Sequence, residues 1–216
     1  MLEVDIDNFA LIGCGKIAIG AYPHDTYNHL SGLSTLYPNG PRYILDLNQE
    51  SIDYVKSFFP SAESISIDQL DDINCQVFVV TVPSEYQFDL IVRILKNPFC
   101  KKIILEKPVL SSLEELDNLN IILNNSGVDI YVPYLRNYIF PIQDILDNVG
   151  CLLRLDIKIN SHLSSSLPHA IALVFGFLGV PASYNFSSNS IRFENSDGVT
   201  SVIDILNCGF SLFDFD

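Results

Sequence analysis

An apolar run, Phe9-Ala10-Leu11-Ile12, leads straight into Gly13-Cys14-Gly15-Lys16-Ile17-Ala18. G-x-G-x-x-A behind a buried strand is a pattern that can hold a dinucleotide. Each small residue answers a physical demand. Gly13 permits the tight strand-to-helix turn, Gly15 lets the backbone approach a pyrophosphate, and Ala18 lets helix and strand pack closely. The amides around Cys14, Lys16 and Ile17 open the following helix at its positive end and are expected to hold the phosphates. Glycine-rich turns are common, so the pattern needs an acidic partner before it points to chemistry.

That partner is Asp46. It ends the apolar strand Arg42-Tyr43-Ile44-Leu45, where a carboxylate accepts hydrogen bonds from an adenosine ribose. The separation from Gly15 exceeds the usual figure of about 20 residues. The excess falls among turn formers between Tyr22-Pro23 and Asn39-Gly40-Pro41, which reads as a loop insertion. A solvated strand-end carboxylate is the plainer alternative for Asp46. An acid here repels a ribose 2′-phosphate, so the cofactor expected is NAD rather than NADP.

The elements that must position these residues alternate along the chain. Residues 49–58 read as a helix and 76–81 as a buried strand. Phe88, Ile91, Val92 and Leu95 make one apolar helical face, and 101–105 is another β-branched strand. Ser111-Ser112-Leu113-Glu114 supplies a capping box for a helix with Leu116, Leu119 and Leu123 inside, and 128–132 is a further strand. Apolar strands alternating with helices mean a parallel sheet covered on both faces. The expected fold is α/β, a doubly wound parallel (Rossmann) sheet over residues 1–134.

Past Pro141 the texture changes. A helix over 142–148 leads to an alternating strand, 152–159, then an apolar helix over 168–178 and strands at 182–186, 190–194 and 200–206. Asp197-Gly198 is a hairpin turn between the last two. Residues 135–216 therefore read as a small α+β domain with a mostly antiparallel sheet.

Composition excludes several classes. Lys+Arg is 12 against Asp+Glu 26, a formal charge of −14 over 216 residues. Such a surface repels nucleic-acid backbones and anionic membranes. The five cysteines, Cys14, Cys75, Cys100, Cys151 and Cys208, include no C-x-x-C and no zinc-ligand spacing, so no metal site is expected and the thiols read as free. The N-terminus is acidic without an apolar signal core, and the longest apolar run, 170–180, is shorter than the roughly 20 residues of a membrane span. A cytoplasmic protein is expected.

Three further stretches close strands or open a helix where such a sheet places its ligands: Thr81-Val82-Pro83-Ser84, Glu106-Lys107-Pro108 and Leu167-Pro168-His169. With GCGKIA, Asp46, TVPS, EKP and LPHAIALVFGFLG in this order, the chain resembles the Gfo/Idh/MocA oxidoreductases from about Phe9 to Leu178. EKP is the most specific of these items. The resemblance implies that Lys107 reaches the reacting carbon and hydroxyl and helps move the proton. It implies that His169 is the catalytic histidine, that Thr81, Val82 and Pro83 line the nicotinamide side, and that Glu106 lies near its ribose. Tyr86 and Arg136 are candidates for the substrate side.

The chemistry suits these residue types. Alcohol oxidation passes a hydride to nicotinamide C4 while a base takes the hydroxyl proton. A histidine titrates near neutrality unaided. A lysine acts as base once burial beside a cationic ring lowers its pKa. Outside their context Lys107 would be an exposed strand-end lysine and His169 a helix-start histidine. His24, His29 and His162 have no comparable setting and read as surface residues.

The chain also departs from the family pattern. Carboxylates common around the histidine are replaced by Ser165, Ala170 and Ala172, Tyr86 stands where many members carry histidine, and the sequence ends at Asp216, ahead of a larger C-terminal sheet. Two functions are therefore carried forward. One is an NAD-dependent oxidoreductase acting on a sugar, polyol or nucleotide-sugar, with a homodimer through the shortened second domain. The other is a catalytically reduced relative that binds nucleotide or a partner.

Overall fold

The computed structural model describes residues 8–24, 28–134, 154–159, 163–187 and 190–205. The chain divides into two compact units, Met1–Pro133 and Tyr134–Asp216.

The first unit is built on short apolar strands: β1 (Phe9–Ile12), β2 (Tyr43–Leu45), β3 (Glu63–Ser64), β4 (Val77–Val80), β5 (Lys102–Leu105) and β6 (Asp129–Tyr131). They form one six-stranded sheet in the order β3-β2-β1-β4-β5-β6, and every pairing is parallel. Alternate strand residues face opposite sides. Ala10, Ile12, Phe78, Val80, Ile103 and Leu105 pack with α4 (Ser84–Ile94) and α5 (Leu113–Leu123). Phe9, Leu11, Ile44, Val77 and Val79 pack with α1 (Lys16–Ile19), α2 (His29–Leu36) and α3 (Gln49–Phe58). Both faces are covered, which is why the central strands read as unbroken apolar runs.

The helices differ from expectation in instructive ways. The first one breaks after four residues at Gly20, and the chain resumes as α2, whose N-cap Asn28 accepts the Ser31 N–H. The inserted stretch is anchored by Tyr22, which meets Phe58 edge-on at 5.1 Å while its carbonyl accepts the Tyr54 hydroxyl at 2.6 Å. This insertion accounts for the long run from Gly15 to Asp46. On α4 the buried positions are Gln87, Leu90, Ile91 and Ile94, so the inner face is turned one residue back from the Phe88–Leu95 stripe. The capping box of α5 is Ser112 with Glu115, one residue beyond Ser111–Glu114. Of Leu116, Leu119 and Leu123, Leu119 is buried, whereas Leu116 is 41% exposed.

The second unit holds a four-stranded sheet of β7 (Arg154–Ile159), β8 (Ser183–Ser187), β9 (Ser190–Glu194) and β10 (Thr200–Ile205), in the order β7-β10-β9-β8. The β8–β9 and β9–β10 pairs are antiparallel, and β10–β7 is parallel. Gly198, at a φ of 77°, closes the turn before β10, and its N–H donates to the Asn195 carbonyl. Helix α6 (Leu163–Leu178) sets Ala170 and Val174 against Ile191, Phe193 and Ile203. It starts five residues ahead of the expected Pro168, which lies inside it and leaves one carbonyl of the preceding turn without an intrahelical donor. The helix expected over 142–148 lies outside the described residues. Among the described residues no helix is long and apolar enough to cross a membrane.

Candidate dinucleotide site at the strand ends

Four adjacent strands, β2, β1, β4 and β5, end on one edge of the sheet and carry almost every residue singled out in the first unit. At the end of β1, Gly13 has a φ of 85°, and its N–H donates to the Leu45 carbonyl at 2.8 Å. A Cβ there would stand 3.0 Å from the Thr81 hydroxyl oxygen and 3.1 Å from the Thr81 backbone carbon. The glycine is therefore fixed by backbone conformation and by the close pass of the β4 turn. The Thr81 hydroxyl closes that pass by donating to the Gly13 carbonyl at 2.6 Å.

Gly15 is exposed and differs in kind. It has extended backbone, and a Cβ added to it would meet nothing within 4 Å. The space in front of it is open, as a pyrophosphate would require. The amides of Lys16 and Ile17 have no intrahelical acceptor because they begin α1. With only four residues, α1 sums few peptide dipoles. A phosphate grip therefore rests on the loop amides more than on a helix dipole. Ala18, fully buried, packs with Phe9 and Leu11 of β1 in the core.

Asp46 is held by backbone on both oxygens. Oδ2 accepts the Cys14 N–H, and Oδ1 accepts the Asn48 N–H at 2.7 Å. Each carboxylate oxygen has a further lone pair, so the group is oriented and can still accept two hydroxyl donors. No ion pair forms at Asp46 among the described residues. Burial, with a smaller push from Asp46, raises the Cys14 thiol to about 12, so it is protonated at neutral pH and is no nucleophile. Burial also raises Cys75 and Cys100 to about 12.

The two remaining turns are tied to each other by a side chain the sequence reading passed over. Gln87, buried on α4, donates from Nε2 to the carbonyls of Val82 at 3.0 Å, Glu106 at 3.0 Å and Pro108 at 3.3 Å. One amide thus fixes the Thr81-Val82-Pro83 turn against Glu106-Lys107-Pro108. The only available signal was a glutamine inside an otherwise apolar helical stripe.

Glu106 is the charged centre of this edge. Its Oε1 lies 2.9 Å from His29 Nε2, and its Oε2 accepts the Lys107 N–H at 3.1 Å and lies 3.7 Å from Lys107 Nζ. The side chains of His29 and Glu106 are 12% and 9% exposed. His29 is therefore not the surface residue expected. The insertion carries it across to the β5 turn. His24 is exposed, and His162 lies outside the described residues. Burial pushes the Glu106 carboxyl up, but the His29 hydrogen bond and charge, with the Lys107 charge and amide, outweigh it and hold the group below its ordinary value. A depressed folded pKa contributes stability above the unfolded carboxylate range and loses it as pH falls through the folded value. Glu106→Gln is thus expected to melt lower at neutral pH and to show a flatter acid limb. Thermal melts from neutral pH to pH about 3 check this, the ordinary Glu value being about 4.3. A variant acid limb parallel to wild type would contradict it.

Residues 8–134 match the family model described as the oxidoreductase family with an NAD-binding Rossmann fold, GFO_IDH_MocA. The chain belongs to the Gfo/Idh/MocA oxidoreductase family. Among solved structures it is similar to the WlbA dehydrogenase from Bordetella pertussis in complex with NADH and UDP-GlcNAcA, at 14% identity and a TM-score of 0.73. The match covers 92% of this chain and 70% of that one. It is also similar to an NAD-binding protein from Listeria innocua, at 15% identity and a TM-score of 0.71, covering 94% and 67%. At such identities the likeness is one of fold, and this chain spans about two thirds of their length. No curated protein sequence matches it.

The first unit is an NAD-binding fold of the Gfo/Idh/MocA family, with its candidate cofactor residues at the strand ends. Tyr86 sits in the first turn of α4 and is 61% exposed. His169 is in the second unit, inside α6, with its ring edge-on to Tyr134 at 6.2 Å. Arg136 lies outside the described residues. Among the described residues no cluster of His, Cys, Asp or Glu could hold a metal ion.

Proposed function

We propose that this chain is an NAD-dependent oxidoreductase working at a hydroxyl or keto carbon of a sugar, polyol or nucleotide-sugar. One observation carries the reading: the Gly13–Gly15 turn, Asp46, the Thr81 turn and the Glu106–Lys107 turn all end on the same edge of four neighbouring parallel strands. The residues fit the cofactor. Gly15 leaves open the space a pyrophosphate needs, and Asp46 keeps lone pairs for ribose hydroxyls with no cation paired to it among the described residues. When bound, NAD supplies the hydride acceptor or donor at nicotinamide C4.

The chain's own residues do the rest. Lys107 takes the proton from the substrate hydroxyl at Nζ and returns it in the reverse direction. Its side chain is 18% exposed, accessible yet shielded from bulk water. Gln87 fixes the two turns, so the lysine backbone does not drift. His169 serves as a second proton-handling group, and Tyr86 and Arg136 contact the substrate. Residues 1–134 form the dinucleotide domain and 135–216 the substrate domain. The sugar assignment draws support from the nucleotide-sugar bound to the Bordetella pertussis dehydrogenase.

A panel of aldoses, inositols and UDP-sugars with NAD, followed by NADH absorbance, tests this reading. Turnover on at least one class is expected, with NADH raising the melting temperature. Failure of NADH to raise the melting temperature at millimolar concentration would sink it. The absence of carboxylates at Ser165, Ala170 and Ala172 favours a second reading, a catalytically reduced family member. That reading predicts NADH binding with no turnover across the panel.

A further inference from the structure

Glu106 offers one carboxylate to the side chains of His29 and Lys107, and they do not share it equally. His29 Nε2 stands at 2.9 Å from Oε1, whereas Lys107 Nζ stands at 3.7 Å from Oε2, beyond hydrogen-bond length. Oε2 is instead engaged by the Lys107 backbone N–H at 3.1 Å. The carboxylate is thus fixed at both oxygens without closing on the lysine head. Its backbone is fixed too, since the Glu106 carbonyl accepts from Gln87 and its N–H donates to the Val80 carbonyl.

We propose that His29 is a positioning residue that holds the Glu106 carboxylate off Lys107, leaving the lysine head available to a substrate hydroxyl. The inference rests on the reading of Lys107 as the proton-moving group. His29 comes from the start of α2, Glu106 and Lys107 follow β5, and Gln87 on α4 is uncharged. Among the described residues no other charged side chain pairs with Glu106 or Lys107. If the donor at position 29 is removed, Oε1 loses its partner and Lys107 is, among the described residues, the charged side chain left beside a buried anion. Opposite charges in a shielded site attract strongly, so the carboxylate closes on Nζ and keeps the amine protonated. A lysine held that way neither accepts a proton readily nor reacts as a nucleophile.

Two amide variants separate this from a packing role. In His29→Gln the side-chain N–H₂ reaches as far as His Nε2 and can still donate to Oε1. In His29→Asn it falls short. Both are polar and close in size, and circular dichroism with thermal melts establishes that each is folded. The readout is acetylation of Lys107 by acetic anhydride in the free protein between pH 7 and 10, quantified by mass spectrometry against Lys16 as internal standard. His29→Asn is expected to slow Lys107 labelling about tenfold, equivalent to a shift of about one pH unit in the profile, and His29→Gln to restore it within about twofold. If His29→Asn labels at the wild-type rate, or His29→Gln is as slow as His29→Asn, the inference is overturned. Labelling needs neither cofactor nor substrate, so that outcome leaves the hydride-transfer reading to its own assay.

Discussion

Replacing Lys107 with alanine is expected to lower turnover on any substrate the chain accepts by roughly 10²–10⁴-fold, the range a positioned proton-transfer group supplies. Affinity for NADH is expected to change little. The separation follows from what Lys107 touches. Its backbone N–H holds Glu106 Oε2 at 3.1 Å, and that bond survives the substitution. Glu106 keeps His29 on its other oxygen, so the buried carboxylate is not left without a counter-group. The dinucleotide contacts proposed for Gly13, Gly15 and Asp46 belong to other strands. Turnover and NADH titration on the same preparation check both halves. Wild-type turnover in Lys107→Ala would remove the lysine from the chemistry, and a collapse of NADH affinity would recast it as a cofactor ligand.

The convergence of the candidate cofactor residues on one edge was legible because its determinants are local. A glycine pair behind an apolar run, an acid ending the next strand and E-K-P ending another each sit within a few residues of a strand terminus. Topology alone then brings the termini together. The partners of those residues were not legible, for the same reason. His29 meets Glu106 across 77 residues of sequence, from its place as the first residue of α2. Nothing beside His29 in the chain marks it apart from His24, which is exposed. Gln87 shows a subtler limit. Apolar periodicity gave α4 a stripe through Phe88 and Val92, but three carbonyls from two turns made a buried amide preferable at position 87. Hydrogen-bond demand overrode hydrophobicity and turned the face. Leu116 is the converse, an apolar residue in the right period that this unit leaves exposed. Pro168 reads as a helix start, yet α6 tolerates it internally at the loss of one bond.

The two glycines of the turn are expected to fail in different ways when each gains a methyl group. In Gly13→Ala the new Cβ carries a φ of 85° and stands 3.1 Å from the Thr81 backbone carbon, which cannot swing aside as a side-chain tip can. The left-handed conformation costs about 1–2 kcal/mol for an L residue. Overpacking against a fixed turn adds about 1–3 kcal/mol. A loss near 3 kcal/mol corresponds to a fall in melting temperature on the order of 10 °C for a unit of this size. It also breaks the pass between β1 and β4 that orients Thr81. In Gly15→Ala the backbone is extended and the methyl meets nothing within 4 Å, so the melting temperature of the free protein should stay within about 2 °C. The methyl instead occupies the space a pyrophosphate must enter, so the stabilisation by NADH should vanish. Melts with and without NADH on both variants decide the matter. If Gly15→Ala keeps the full NADH-induced shift, the open space before Gly15 is not where the phosphates lie. If Gly13→Ala melts like wild type, the turn is slack enough to take a side chain, and the close pass to Thr81 does not set its residue.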